Sequence, residues 1–109
     1  MSRNYLSGGN ELLRGDYLMS NNNQWKAVFQ DDGNFVVFGW KPVWASNTNR
    51  SDAVRLVMQD DCNLVTYNAA GVPKWDTNTH TNTGSTCHLQ LTDDGKLALY
   101  KEAQKIWGT

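Results

Sequence analysis

This chain has no run of Lys or Arg. Ten basic and eleven acidic residues leave a net charge of −1. That balance lacks the electrostatic footprint of a nucleic-acid binder or of a protein held on an anionic membrane. No apolar stretch exceeds a few residues, so no transmembrane helix and no membrane insertion are expected. The opening MSRNYLSGGNELL holds no continuous apolar segment of the signal-peptide kind. Helical periodicity is weak everywhere. Cysteine is scarce, at two residues. At 109 residues the expectation is a single domain over 1–109. A chain of this size buries roughly two thirds of its unfolded surface, enough for one core.

What is present reads as β. Gly, Asn, Asp, Ser and Thr interrupt the chain about every ten residues. Between them lie WKAVF, NFVVF, VRLVM, NLVTY, CHLQL and KLALY. Short strands at regular spacing, separated by turn residues, point to an all-β sandwich, barrel or related closed form. FQDDGNFVVF and LTDDGKLALY each carry Asp-Gly between apolar stretches, a strong hairpin signal.

The chain also repeats itself. QDDGNFVVF (30–38), QDDCNLVTY (59–67) and TDDGKLALY (92–100) are near copies. A Trp follows each of them, at 44, 75 and 107, spaced by 31 and 32 residues. Repetition at such a period marks supersecondary units that cannot bury an apolar face alone. Three units around a pseudo-threefold axis can share one core, with Trp44, Trp75 and Trp107 meeting near its centre.

Alternate strand residues share a face. Asn34, Val36 and Phe38 therefore oppose Phe35 and Val37. Asn63, Val65 and Tyr67 oppose Leu64 and Thr66. Gln30 and Asp32, or Gln59 and Asp61, sit at the preceding turn and curl back beside the Asn. The face gathers amides, a carboxylate, a small apolar patch and an aromatic ring. Such a set offers donors and acceptors without nucleophile, general base or metal cage. It suits a neutral, hydroxyl-covered ligand with one apolar flank, which describes a sugar. A hairpin needs the Asp-Gly turn; it does not need the flanking amides.

The pattern Gln-x-Asp-x-Asn-x-Val-x-Tyr resembles the signature of the monocot mannose-binding lectins, the bulb lectins of snowdrop and garlic type. Fish lily-type lectins are their relatives. LLRGDYLMS, VWASNT and the Trp of each unit extend the resemblance over nearly the whole chain. It implies a β-prism II of three four-stranded antiparallel sheets, each with one sugar site. It implies metal-free binding of mannose and mannose-rich glycans, with no cofactor. Asp and Asn would hold the 2-hydroxyl, Gln the 3-hydroxyl and Tyr the 4-hydroxyl, with Val against the ring carbons. Gln59, Asp61, Asn63, Val65 and Tyr67 match in full. Gln30, Asp32, Asn34 and Val36 match, but Phe38 lacks the hydroxyl. The third unit has Thr92, Asp94, Lys96, Ala98 and Tyr100 and is read as degenerate for mannose. Thr92 is too short, Lys96 has no acceptor and Ala98 has lost the methyl pair.

The family's disulfide, carried over, joins Cys62 to Cys87. It would link units two and three, where the snowdrop type links one and two. Zinc held by Cys62, Cys87, His80 and His88 has no recognisable ligand spacing. The DDGN turns do not follow the EF-hand order, and their flanks are β. β-Trefoil units run longer and carry a Gln-x-Trp mark that these units lack. Each Asp pair consists of adjacent residues that point apart, so no acid/base pair is offered and no enzyme is expected. The alternative is a non-catalytic β-repeat for protein–protein contact with vestigial sugar sites. A secreted homodimer, exchanging the C-terminal KIWGT strand and serving surface defence, is the expectation; a cytoplasmic location is the alternative. Asn49-Arg50-Ser51 forms a glycosylation sequon.

Overall fold

The computed structural model describes residues 3–81 and 86–109. Among them lie twelve strands. Three short ones come first: β1 (Tyr5–Ser7), β2 (Glu11–Leu13) and β3 (Tyr17–Met19). Three hairpins with a third strand each follow. The first is β4 (Lys26–Phe29), β5 (Phe35–Phe38) and β6 (Pro42–Ala45). The second is β7 (Ala53–Met58), β8 (Leu64–Asn68) and β9 (Pro73–Asp76), and the third is β10 (Cys87–Leu91), β11 (Leu97–Lys101) and β12 (Gln104–Gly108).

They form three antiparallel four-stranded sheets, in the orders β3-β4-β5-β6, β2-β7-β8-β9 and β1-β10-β11-β12. The three units read from the repeats are present, and they form the three-sheet prism that the family resemblance implied. The repeats explain only three strands per sheet. The fourth is dealt out by the N-terminal segment, one strand to each sheet in reverse order. Each of these strands buries its middle residue, Leu6, Leu12 or Leu18. A single segment thus stitches all three sheets together.

The core is the space between the sheets. Phe29, Phe35, Val37, Leu56, Leu64, Leu89, Leu97 and Leu99 are fully buried there. The Trp residues do converge. Ring centroids of Trp44, Trp75 and Trp107 lie 5.7–6.3 Å apart in edge-to-face pairs, a geometry aromatic quadrupoles favour. They pack against the core while remaining partly exposed. In the second sheet Thr66 takes the place that Val37 and Leu99 hold in the others. Its hydroxyl is buried without a hydrogen-bond partner among the described residues.

Candidate functional site

Each hairpin turn is built alike. The N–H of Gln30 donates to the carbonyl of Asn34 (2.9 Å), that of Gln59 to Asn63 (3.0 Å) and that of Thr92 to Lys96 (2.8 Å). The turn is closed by Gly33, Cys62 and Gly95, whose N–H groups donate to the carbonyls of Gln30, Gln59 and Thr92 at 3.0–3.1 Å. These three residues have φ of 83°, 72° and 82°. That is the three-residue hairpin loop ending in a left-handed residue. Glycine suits the position. A Cβ on Gly33 would also meet Ser51 O at 2.8 Å, and one on Gly95 would meet the Trp25 ring at 2.6 Å. Cys62 carries a Cβ there because it reaches out to Cys87. The two are bonded, with Cα atoms 5.5 Å apart, as the family resemblance implied.

The turn delivers the polar residues to one face. In the first sheet the Asp32 carboxylate accepts the N–H of Asn34 (3.0 Å). The side-chain carbonyl of Asn34 accepts from the Ser46 hydroxyl and the Thr48 N–H, each at 3.1 Å. The carbonyl is therefore occupied, while the amide nitrogen makes no hydrogen bond among the described residues. In the second sheet Asp61 accepts the N–H of Asn63 and the amide of Gln59, both at 3.0 Å. The Tyr67 hydroxyl donates to the Gln59 carbonyl. The Asn63 carbonyl accepts from Thr79 N–H (3.1 Å) and from the Thr77 hydroxyl (3.3 Å). Its amide donates to Asp76 (3.1 Å). Tyr67, Gln59, Asp61, Asn63 and Asp76 are thus brought onto one polar face. Val36 and Val65 supply the apolar floor, 4% and 3% exposed.

The first sheet brings Gln30, Asp32, Asn34, Val36 and Phe38 to the equivalent places, but Phe38 cannot close the chain of bonds. Gln30 makes no side-chain hydrogen bond among the described residues. In the third sheet the Thr92 hydroxyl donates to Asp94. That bond, with Lys96 and Lys105 nearby, holds the Asp94 carboxyl below the usual carboxylate value. Lys96 has no carbonyl to fix, and Ala98 is 3% exposed. Tyr100 stacks on His88, ring centroids 5.2 Å apart and planes at 15°.

No family model matches the chain. It is 57% identical over 106 residues to the B-type lectin plumieribetin of Scorpaena plumieri, across 97% of this chain and 94% of that protein. The chain belongs to the B-type lectin family. Solved structures agree. The prism of this B-type lectin matches a monomeric monocot mannose-binding lectin of Gastrodia elata at a TM-score of 0.86, with 30% identity, over 96% of this chain and 94% of that one. It matches the mannose-specific agglutinin of snowdrop, Galanthus nivalis, complexed with methyl-α-D-mannoside, at 0.82 and 32% identity, over 95% and 93%.

The latch on the asparagine was not anticipated. Its members are Ser46 and Thr48 in the first sheet of this B-type lectin and Thr77 and Thr79 in the second. The hydroxyls of Thr48 and Thr79 reach back to the carbonyls of Gly33 and Cys62, at 2.8 and 2.7 Å. The signal was legible as Ser-Asn-Thr and Thr-Asn-Thr after the Trp. Asp76, which opposes Val65 across the sheet, was also missed.

Proposed function

We propose that this B-type lectin binds α-mannose and mannose-rich glycans without a metal ion, at Gln30, Asp32, Asn34, Val36 and Phe38 and at Gln59, Asp61, Asn63, Val65 and Tyr67. The observation that carries this reading is the latched asparagine. With its carbonyl occupied, each Asn can act only as a donor beside a carboxylate acceptor and a valine floor, Asn34 through both N–H groups and Asn63 through the one not given to Asp76. One donor, one acceptor and one apolar contact at fixed places suit a pyranose hydroxyl and its ring carbons. The complex of the snowdrop relative with methyl-α-D-mannoside supports the sugar assignment.

Residues 1–109 act in this reading as one lectin domain, and the role is recognition rather than catalysis. A single shallow sugar site binds in the millimolar range, on the order of −4 kcal/mol. Useful avidity then needs several sites on one assembly. A homodimer that exchanges β12 supplies them. β12 hydrogen-bonds β11 on one side and carries Trp107 into the aromatic trio, so a partner's β12 could make the same contacts. The Cys62–Cys87 bond favours an oxidising compartment, hence secretion and a part in surface defence.

Retention on mannose-agarose in EDTA tests the binding. Loss of retention that calcium restores would sink the metal-free reading. Sedimentation of a chain lacking Ile106 to Thr109 tests the dimer. An unchanged size and stability would rule out strand exchange.

A further inference from the structure

We propose that the third sheet binds a sugar bearing a carboxylate or sulfate group. This inference goes beyond the mannose sites and uses none of their residues.

The residues that changed in this sheet changed together. Across the first sheet, one row of the site face reads Tyr17, Val28, Val36 and Ala45. Across the second it reads Glu11, Val57, Val65 and Asp76. Across the third it reads Tyr5, Gln90, Ala98 and Gly108. The Val–Val floor has become Gln–Ala, so apolar area has been exchanged for an amide. The neighbouring row changes as well. Phe38 faces Pro42 and Tyr67 faces Pro73, but Tyr100 faces Lys105.

Lys105 uses the room that Gly108 leaves. A Cβ on Gly108 would lie 2.5 Å from Cε and 3.0 Å from Nζ of Lys105. The ammonium therefore lies over Gly108, beside Ala98, on the floor of the third face. Lys96 stands at the position of Asn34 and Asn63. Neither lysine is in an ion pair among the described residues, where the pairs are Arg55–Glu11 and Lys74–Asp52. Of the carboxylates near this face, Asp94 is hydrogen-bonded by Thr92 and lies within the field of both lysines, and Asp60 lines the cleft beside His88. Two ammonium groups, the Gln90 amide and the Tyr100 hydroxyl make a donor-rich surface, with the His88–Tyr100 stack as an aromatic wall. Charge-assisted donors favour an anionic oxygen cluster over a neutral hydroxyl. The second sheet does the opposite, because Asp76 at the place of Gly108 repels an anion.

The test titrates the full chain with sialyllactose, with sulfated lactose and with neutral lactose, following backbone amide NMR signals of Ala98, Tyr100 and Gly108. One or both anionic sugars should shift these signals, and lactose should not. Which of the two binds separates carboxylate from sulfate as the group read. Lys105→Gln should weaken that binding roughly tenfold, the loss of one hydrogen bond to a charged group. Lys96→Gln should weaken it in the same direction, and added salt should weaken it further. The same variants should leave methyl α-mannoside shifts at Asn34 and Asn63 unchanged. Absence of shifts with both anionic sugars overturns the proposal, as does equal binding of lactose or indifference to Lys105→Gln. Methyl α-mannoside is titrated in parallel. If it fails while an anionic sugar binds, the mannose reading falls and this one stands. If it binds while both anionic sugars fail, the mannose reading stands and this one falls.

Discussion

The second and third hairpins share their backbone and, on the outer face, only an Asp (61 and 94) and a Tyr (67 and 100) of the five motif residues. Both turns close with the same pair of hydrogen bonds, at 3.0 and 3.1 Å in the second and 2.8 and 3.1 Å in the third. Both send alternate residues into one core and end on a Trp of the same trio. Yet one face carries Gln59, Asn63, Val65 and Asp76, and the other Thr92, Lys96, Ala98 and Gly108. The prism is held by the turn, the left-handed residue and the inward side chains. The differences between the sheets sit on the outward ones. The two are separable, so a sheet can change its outer face without risk to the fold.

The sharpest break of that likeness is the covalent one. Replacing Cys62 by Gly and Cys87 by Ser removes the crosslink and gives the second turn the residue both other turns use. Urea unfolding should show a loss of about 3 kcal/mol, the chain-entropy value for such a loop. Cys62→Ser with Cys87→Ser should lose about 1 kcal/mol more, because a Cβ stays at a left-handed φ with nothing to hold it. Equal losses for the two pairs would mean that the turn does not strain Cys62.

Asn63→Ala comes next. It leaves the part-buried N–H of Thr79 without its acceptor, at a cost of about 1–3 kcal/mol, and should abolish mannoside binding in the second sheet by calorimetry. Lys96→Ala, at the same place in the third sheet, should change stability by less than about 0.5 kcal/mol and mannoside binding not at all. A loss of mannoside binding on Lys96→Ala would assign mannose to the third sheet.

Thr66→Val restores to the second sheet what Val37 and Leu99 provide in the others. Removing a buried hydroxyl without a partner, at nearly constant volume, should stabilise by about 1 kcal/mol, read as a higher unfolding midpoint. A lower midpoint would show that the hydroxyl is satisfied.

The smallest effect concerns the first sheet. Phe38→Tyr gives it the hydroxyl of Tyr67, and its mannoside affinity should rise several-fold, about 0.5–1.5 kcal/mol. No gain would show that the Tyr67 hydroxyl serves Gln59 rather than the sugar.

Much of this was legible in the chain. The Asp-Gly turns, the alternation in NFVVF and NLVTY and the Trp spacing fix three hairpins around one core, because these signals are local. The strands β1 to β3 were not legible, since three residues are too few to show a period. Leu6, Leu12 and Leu18 recur every six residues with a Gly between, at 9 and at 15, and that was the available sign. The latch on Asn34 and Asn63 joins residues 14 and 16 positions apart, across a strand whose register sequence alone does not set. Lys105 looked like an ordinary strand-edge charge; only the bulge between Leu99 and Tyr100 and the missing side chain at 108 bring it over the third face.

The stitching segment sets an order on the birth of the molecule. β3 pairs with β4, its neighbour in the chain, so the first sheet is complete once residue 45 has been made. β2 must wait for β7 and then for β9, which ends at residue 76. β1 waits longest, because Tyr5 pairs with Gln90 and β12 follows only at 104. The sheets are nested like brackets, opened 1, 2, 3 and closed 3, 2, 1. Each later closure spans a longer stretch of chain, and such long-range pairing is slow. Pairing range alone thus orders the closures from the inner bracket outward, while the shared core forms only when all three sheets meet. The face of Gln30 and Asn34 stands on the sheet with the shortest wait, that of Gln59 and Asn63 on the next, and that of Thr92 and Lys96 on the sheet sealed last.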